Sequence, residues 1–286
     1  MNEPDFEYLR AFLKARSGLA LPQEKRYLVE SRLAAICRSF GVADLTELVK
    51  AIRGGRNLAL ENAVIEAMTT NETFFFRDKG PFDLFKDVLL PRYLSSRSNV
   101  RHLRIWCAAA STGQEPYSLA MLLEEAAPRL AGWKIDIVAT DISNDVLSKA
   151  RAGLYNQFEV QRGLPIQLLL KHFTQVGDQW QISSKMRSKV EFKQLNLIKD
   201  FKHFGTFDII YCRNVLIYFD SPTKSDVLKR ISHVLALDGS LILGAAETVL
   251  GLTDAFQPDA SHRGLYGKSP EKVGQNVLTP ALAMSR

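Results

Sequence analysis

Ile105-Trp106-Cys107-Ala108-Ala109-Ala110-Ser111-Thr112-Gly113-Gln114-Glu115-Pro116-Tyr117-Ser118 is the stretch on which the fold turns. An apolar run ends in small residues and a glycine, and a helix then opens with proline near its start. The pattern is a strand, a tight loop and a helix N-terminus. In an open α/β sheet, ligands bind in the crevice at the carboxyl ends of strands. Small side chains there let a ligand approach the backbone. The spacing is not that of a dinucleotide fingerprint, and no Lys-Ser or Lys-Thr follows the glycine as in a phosphate-binding loop.

Downstream, Ile135-Asp136-Ile137-Val138-Ala139-Thr140-Asp141-Ile142-Ser143 is a second apolar run, and it ends in an acid. An acid at the end of the second strand is placed to accept hydrogen bonds from ribose hydroxyls. Asp141 is equally suited to cap the next helix, a task Ser143 can share. The pattern alone leaves both roles open.

Working outward, strand patterns fall at 103–107, 134–139, 207–211 and 239–244, and helix patterns at 115–126, 143–151 and 222–235. This alternation predicts a Rossmann-like α/β domain over 99–267, with a mostly parallel sheet covered by helices. Within it, 155–195 holds a short helical piece, Pro165 to His172, followed by three strand-like pieces: Phe173–Val176, Gln179–Ile182 and Val190–Phe192. A turn at Gly177-Asp178 separates the first two. These read as a small antiparallel β insertion.

Residues 1–70 read differently. Phe6, Leu9, Phe12 and Leu13 recur at helical spacing, and Tyr27, Leu28, Leu33, Ile36 and Phe40 continue a second stripe. Asp44 is placed to cap a third helix, and a fourth runs from about Leu58 to Met68. An all-helical N-terminal domain is expected, then a linker and connecting helix over 71–98. The polar end, 268–286, is expected to be a flexible tail.

The 286 residues are 46% hydrophobic, enough to bury a substantial core. Three cysteines without paired spacing, Cys37, Cys107 and Cys212, point to reduced thiols in a cytoplasmic protein and to no metal site. No signal-peptide core and no membrane-spanning run is visible. The net charge of +6 suits an acidic partner surface. No basic run interleaved with aromatics suggests nucleic acid. Nothing demands more than a monomer.

Two further segments hold chemistry. Asn71-Glu72-Thr73-Phe74-Phe75-Phe76-Arg77-Asp78 joins the helical and α/β parts, so Asn71, Thr73 and Arg77 are expected to face a cleft between them. Phe207-Asp208-Ile209-Ile210-Tyr211-Cys212-Arg213-Asn214 is an apolar strand that runs into an arginine. A charge in such a setting needs an anion, which a ligand carboxylate or phosphate can supply. Asn196-Leu197 follows a strand end and can offer amide contacts to a base.

With these segments in this order, the chain resembles the chemoreceptor methyltransferases of bacterial chemotaxis, the CheR family. The resemblance rests on Asn71 to Arg77, Cys107 to Ser118, Ala139-Thr140-Asp141-Ile142, Leu195-Asn196-Leu197 and Tyr211 to Phe219, and it spans residues 5 to 267. It implies a methyl transfer from S-adenosylmethionine to glutamate γ-carboxylates of chemoreceptor cytoplasmic helices. The products would be methyl esters and S-adenosylhomocysteine. It further implies that Asn71, Thr73, Arg77, Glu115 and Asp141 hold cofactor and substrate, with Asp141 at the ribose. Asn196 and Leu197 would lie near the adenine, and Arg213, Asn214 and Tyr218 around the methionine moiety. Arg77 and Tyr218 would be the catalytic pair.

The chemistry is consistent with the chain. An ionised glutamate needs no general base at neutral pH, and the five histidines show no ligand spacing. Lys25, Arg26, Arg32 and Arg38 on the second helix offer charge to glutamate-bearing receptor helices. The stretch Ile182-Ser183-Ser184-Lys185-Met186 lacks the glycine-rich loop of relatives that bind a receptor pentapeptide, so no tether is expected. Two other readings compete. One is a non-catalytic receptor-binding module that senses the cofactor. The other is a nicotinamide-dependent oxidoreductase, against which the missing dinucleotide fingerprint counts.

Overall fold

The computed structural model describes residues 1–270, so most of the stretch expected to be a tail lies outside the described residues. Four helices come first: α1 (Glu3–Ser17), α2 (Arg26–Ser39), α3 (Leu45–Arg53) and α4 (Leu58–Met68). Local chemistry marks their starts. Asn2, Asp44 and Asn57 each accept backbone amides at the N-termini of α1, α3 and α4. Their apolar stripes close on one core that includes Phe6, Leu9, Leu33, Leu48 and Val64.

The second part is built on a seven-stranded sheet. Its strands are β1 (His102–Cys107), β2 (Lys134–Asp141), β6 (Val190–Gln194), β7 (Phe207–Cys212), β8 (Leu235–Leu243), β9 (Phe256–Pro258) and β10 (Leu265–Lys268). The order is β6-β2-β1-β7-β8-β10-β9, parallel from β6 through β8 and antiparallel at β10 and β9. The chain builds outward from β1 to β2 and β6, then returns to place β7 on the other side of β1. The switch point therefore lies between β1 and β7, where α/β sheets open their crevice.

Alternate residues of each strand feed two cores. Ile105, Cys107, Ile137, Ile209 and Tyr211 pack on one face with Tyr117 and Leu119 of the helix Gln114–Glu125. Trp106, Val138, Ile210 and Cys212 pack on the other with Val227 and Ile231 of the helix Ser221–Val234. All three cysteines are buried and free.

The insertion differs from the sequence expectation. Its sheet has three strands in the order β3-β5-β4: β3 (Leu154–Asn156), β4 (Phe173–Val176) and β5 (Gln179–Ile182). Val190–Phe192, expected as its last strand, instead belongs to β6 (Val190–Gln194), which pairs parallel with β2 as the edge of the main sheet. The insertion thus ends before Val190. Short period-2 patterns in succession do not reveal which sheet each joins, because pairing is a long-range choice.

Helix α1 ends at Gly18 in the left-handed region (φ 79), where a Cβ would lie 2.8 Å from Ile198. The missing side chain lets the chain pass close to the sheet domain. Just beyond it, Leu19 bridges to Phe219, and the Ala20 amide donates to the Tyr218 carbonyl at 2.8 Å. Among the described residues, no helix is long and apolar enough to cross a membrane.

Candidate active site

A cleft of about 960 Å3 of empty space, counted out through its mouth, opens at the switch point. It is walled by the residues after four strand ends: Ala108 and Ala109 after β1, Asp141 and Ile142 at β2, Leu195 to Leu197 after β6, and Arg213 to Val215 after β7. Thr69 to Thr73 and Arg77 close one side, and Ser17 and Leu19 enter from α1 and its exit. The cleft gathers all ten of the residues singled out for cofactor and catalysis. The contributions of Ser17 and Leu19 had no sequence signal, because they depend on how the two parts dock.

The loop after β1 divides its labour. Ala108, Ala109 and Ser111 face the cleft. Gly113 does not, and its φ of 95 instead starts the helix Gln114–Glu125. A Cβ on Gly113 would lie 3.0 Å from Ala150 and 3.1 Å from Tyr117, so the glycine serves the turn and close helix packing.

Asp141 is 7% exposed, with both carboxylate oxygens engaged. Oδ2 accepts the Ser111 amide at 2.8 Å and Oδ1 the Ser143 amide at 3.1 Å. Ser143, and not Asp141, caps the helix Asn144–Ala152. Burial pushes the Asp141 carboxyl up, while the Ser143 and Ser111 amides pull it down. Each oxygen retains a lone pair, so the group can accept two hydroxyls without releasing the loops it holds. Ser111 itself sits at φ 48, a strained position for a non-glycine residue that its hydrogen bond to Asp141 holds in place.

Arg213 is buried, and its partners are internal. Nη1 donates to Glu115 Oε2 at 2.7 Å, while Nη2 donates to the Arg77 carbonyl at 2.9 Å and to Asp78 Oδ2 at 2.7 Å. Burial raises the Glu115 carboxyl, and the adjacent guanidinium opposes that shift. The sequence expectation that Arg213 needs an anion is met first by Glu115 and Asp78. Its Nε–H stays buried without a partner. Arg77 is half-buried, donates from Nη1 to the Glu72 carbonyl at 2.6 Å, and lies 5.7 Å from the centre of the Phe74 ring.

The sequence did not reveal Glu247. Its Oε2 accepts the amides of Asn214 at 2.8 Å and Gly244 at 2.7 Å, and its Oε1 those of Val215 at 2.9 Å and Leu216 at 2.7 Å. This one carboxylate gathers the turn that presents Asn214 and Tyr218 to the cleft. Asn214 is held at φ 58. Asn196 uses its amide structurally as well. Nδ2 donates to the Arg16 carbonyl at 2.6 Å, and Oδ1 accepts the Ile198 amide. Leu195, Leu197 and Ile142 supply an apolar wall beside it.

This donor set fits S-adenosylmethionine. A buried carboxylate with free lone pairs suits ribose hydroxyls, and the apolar wall suits a base. The orphaned Nε–H of Arg213 suits a carboxylate, and the acids Glu115 and Asp141 suit a sulfonium cation. None of the histidines lines the cleft.

Lys25 was expected on the second helix but ends the short 3-10 turn Gln23–Lys25 just before α2, which carries Arg26, Arg32 and Arg38; the four divide into two pairs. Arg26 is paired with Glu3 and Glu30, and Arg32 donates to the Met68 and Thr69 carbonyls at 3.0 Å, tying off the end of α4. Lys25 and Arg38 are exposed.

Comparison with known proteins agrees with this geometry. Residues 71–265 match the family described as CheR methyltransferase, SAM binding domain, and residues 4–69 match CheR methyltransferase, all-alpha domain. The chain is 41% identical over 257 residues to Chemotaxis protein methyltransferase Cher2 of Pseudomonas putida, covering 88% of this chain and 93% of that protein. It is 42% identical over 257 residues to Chemotaxis protein methyltransferase 1 of Pseudomonas aeruginosa, with the same coverage. Against Chemotaxis protein methyltransferase of Salmonella typhimurium it is 35% identical over 282 residues, covering 96% of this chain and 93% of that one.

Proposed function

The chain belongs to the CheR methyltransferase family and carries its S-adenosylmethionine-binding domain; from that premise we propose that it methylates glutamate γ-carboxylates on the cytoplasmic helices of chemoreceptors. The products are glutamyl methyl esters and S-adenosylhomocysteine, and the setting is chemotaxis adaptation in the cytoplasm. The observation that carries this reading is Arg77, a guanidinium in the same cleft as the buried acceptors Asp141 and Glu115, with no histidine among the lining residues.

The bound cofactor supplies an already activated methyl group. Asp141 accepts the ribose hydroxyls, Leu197 and Ile142 flank the base, and Arg213 and Asn214 hold the amino-acid end. Arg77 orients the incoming carboxylate, and Tyr218 shapes the same end of the cleft. A glutamate side chain has a pKa of about 4.3 and arrives ionised, so no residue has to remove a proton. Alignment then dominates, and well-oriented intramolecular reactions gain about 7–11 kcal/mol from it.

Lys25 and Arg38 supply exposed positive charge for glutamate-bearing receptor helices, and docking needs no tail tether. The stretch after β5 supports the last point, because it closes as a short helix, Ser184–Arg187, capped by Ser183 instead of a glycine-rich loop. The edge of β4 remains available for strand addition, so tight binding of a receptor-tail peptide would overturn the untethered reading.

The test is transfer of labelled methyl from S-adenosylmethionine to a purified receptor cytoplasmic fragment. Label released by mild base supports ester formation on carboxylates. Base-stable label would overturn the glutamate substrate. Cofactor binding without transfer would favour a sensing module.

A further inference from the structure

The insertion packs on the interdomain linker, with Phe75 edge-on to Tyr155 and Phe173, and approaches its backbone most closely at Gly163. Gly163 lies at φ +83, and a Cβ there would sit 2.1 Å from the Phe75 carbonyl oxygen. Its neighbour Arg162 is thereby brought to the linker, with its guanidinium 4.2 Å from the centre of the Phe74 ring and Nη2 2.7 Å from Glu72 Oε1. Arg77 approaches the same ring at 5.7 Å, and Glu72 and Arg77 both line the cleft. Two guanidiniums therefore lie over one aromatic ring: Arg77 lines the cleft, while Arg162 sits just outside the lining and is joined to it through the cleft residue Glu72.

We propose that Arg162 is a second recognition residue for the substrate carboxylate, occupied by Glu72 until a receptor glutamate displaces it. The inference rests on the glutamate reading above and adds a residue and a competitor to it. Three observations support it. The pair is half-exposed, at 40% for Arg162 and 54% for Glu72, so a partner can reach it and its own contribution to stability is small. Glu72 has the same chemical group as the substrate. The nearby guanidiniums, Arg162 first, hold the Glu72 carboxyl below its usual range, so the position favours an ionised carboxylate.

The exchange also has a direction. Transfer of the methyl turns a charged carboxylate into a neutral ester, which no longer offers a charge-assisted acceptor. Glu72 then takes Arg162 back as the product leaves.

The experiment measures KM and kcat for receptor fragment, with cofactor affinity by calorimetry, in the full chain carrying Arg162→Ala, Arg162→Lys or Glu72→Gln. Removing a charge-assisted hydrogen bond predicts a receptor KM about tenfold higher for Arg162→Ala and intermediate for Arg162→Lys, with cofactor affinity within about twofold. Glu72→Gln moves KM the opposite way, lower by about threefold, because the competitor is gone. A purely structural brace would make both substitutions shift KM in the same direction, and that result would overturn the inference while leaving methyl transfer intact. An unchanged KM for folded Arg162→Ala would overturn it as well. If the unsubstituted protein transfers nothing to the receptor fragment, the glutamate reading fails and this inference with it.

Discussion

The Glu247 carboxylate lies 2.8 Å from the Asn214 amide and holds three further amides within 2.9 Å. The left-handed φ of 58 at Asn214 is strained, and these charge-assisted bonds offset the strain. Glu247→Gln keeps the size but removes the charge and turns one acceptor into a donor facing amide donors. The expected loss is about 2–4 kcal/mol of stability. Turnover should fall by about tenfold or more, because the turn that presents Asn214 and Tyr218 is no longer anchored by a charged acceptor. Thermal melts with steady-state kinetics check this, and Glu247→Asp should recover part of the turnover.

Asp141 carries a pH prediction. Burial raises its folded-state pKa, so the ionised form, which we propose accepts the ribose hydroxyls, is lost at a higher pH than a free aspartate would require. Cofactor affinity should be flat near neutral pH and fall on acidification, starting above the ordinary value of about 3.9. Asp141→Asn should bind the cofactor more weakly by about tenfold or more and lose this acid limb. Calorimetric titrations at stepped pH decide it, and an unchanged acid limb in the variant would assign it to another group.

Arg77 should separate binding from chemistry. Arg77→Ala is expected to cut kcat about a hundredfold or more, as misplacement of a reacting group does, while S-adenosylhomocysteine affinity changes far less. Equal losses in both would make Arg77 a cofactor ligand. Arg213 needs the same pair of measurements for a different reason. It holds the Arg77 carbonyl and Asp78 together, so Arg213→Lys, without the planar fork, should lower kcat by misplacing Arg77.

Several cleft residues were legible because they follow an apolar run at a strand's carboxyl end, where a polar residue is conspicuous, while Asn71, Thr73 and Arg77 were legible from the unusual aromatic linker that carries them. Asp141 and Arg213 stood out in that way. Glu247 did not, because it acts on backbone amides, which have no sequence signature, and because it follows Gly244-Ala245-Ala246 in what reads as a plain loop. The register of β6 was hidden for a related reason, since its pairing with β2 is set by residues far along the chain. The basic face of α2 was legible as charge only. Which charges are free depends on Glu3, Met68 and Thr69, which belong to other elements.

That division makes the docking prediction specific. Lys25→Glu with Arg38→Glu should raise receptor KM, and the rise should shrink as salt screens it over a Debye length of about 8–10 Å. Arg32→Ala should instead lower stability, because it frees the Met68 and Thr69 carbonyls beside the cleft. Salt-insensitive receptor binding would count against electrostatic docking.

The joint between the two parts can be tested through Asp220. It caps the helix Ser221–Val234 by accepting the Thr223 amide at 3.0 Å, and it pairs with Lys14 of α1 at 2.6 Å. Lys14, then Thr223, lowers its carboxyl to about 2. The folded pKa lies below the unfolded one, so its stabilisation is present above about 3.9 and is lost as pH falls through about 2. Lys14 is 55% exposed, so the ion pair adds little and the cap dominates. Asp220→Ala should cost about 1 kcal/mol at neutral pH. The cost should shrink as pH falls towards and below about 2, where the unsubstituted protein progressively loses the charge. Denaturant melts of both proteins across that range test the sign, and a cost that does not shrink over that range would mean the carboxyl supports the joint without its charge.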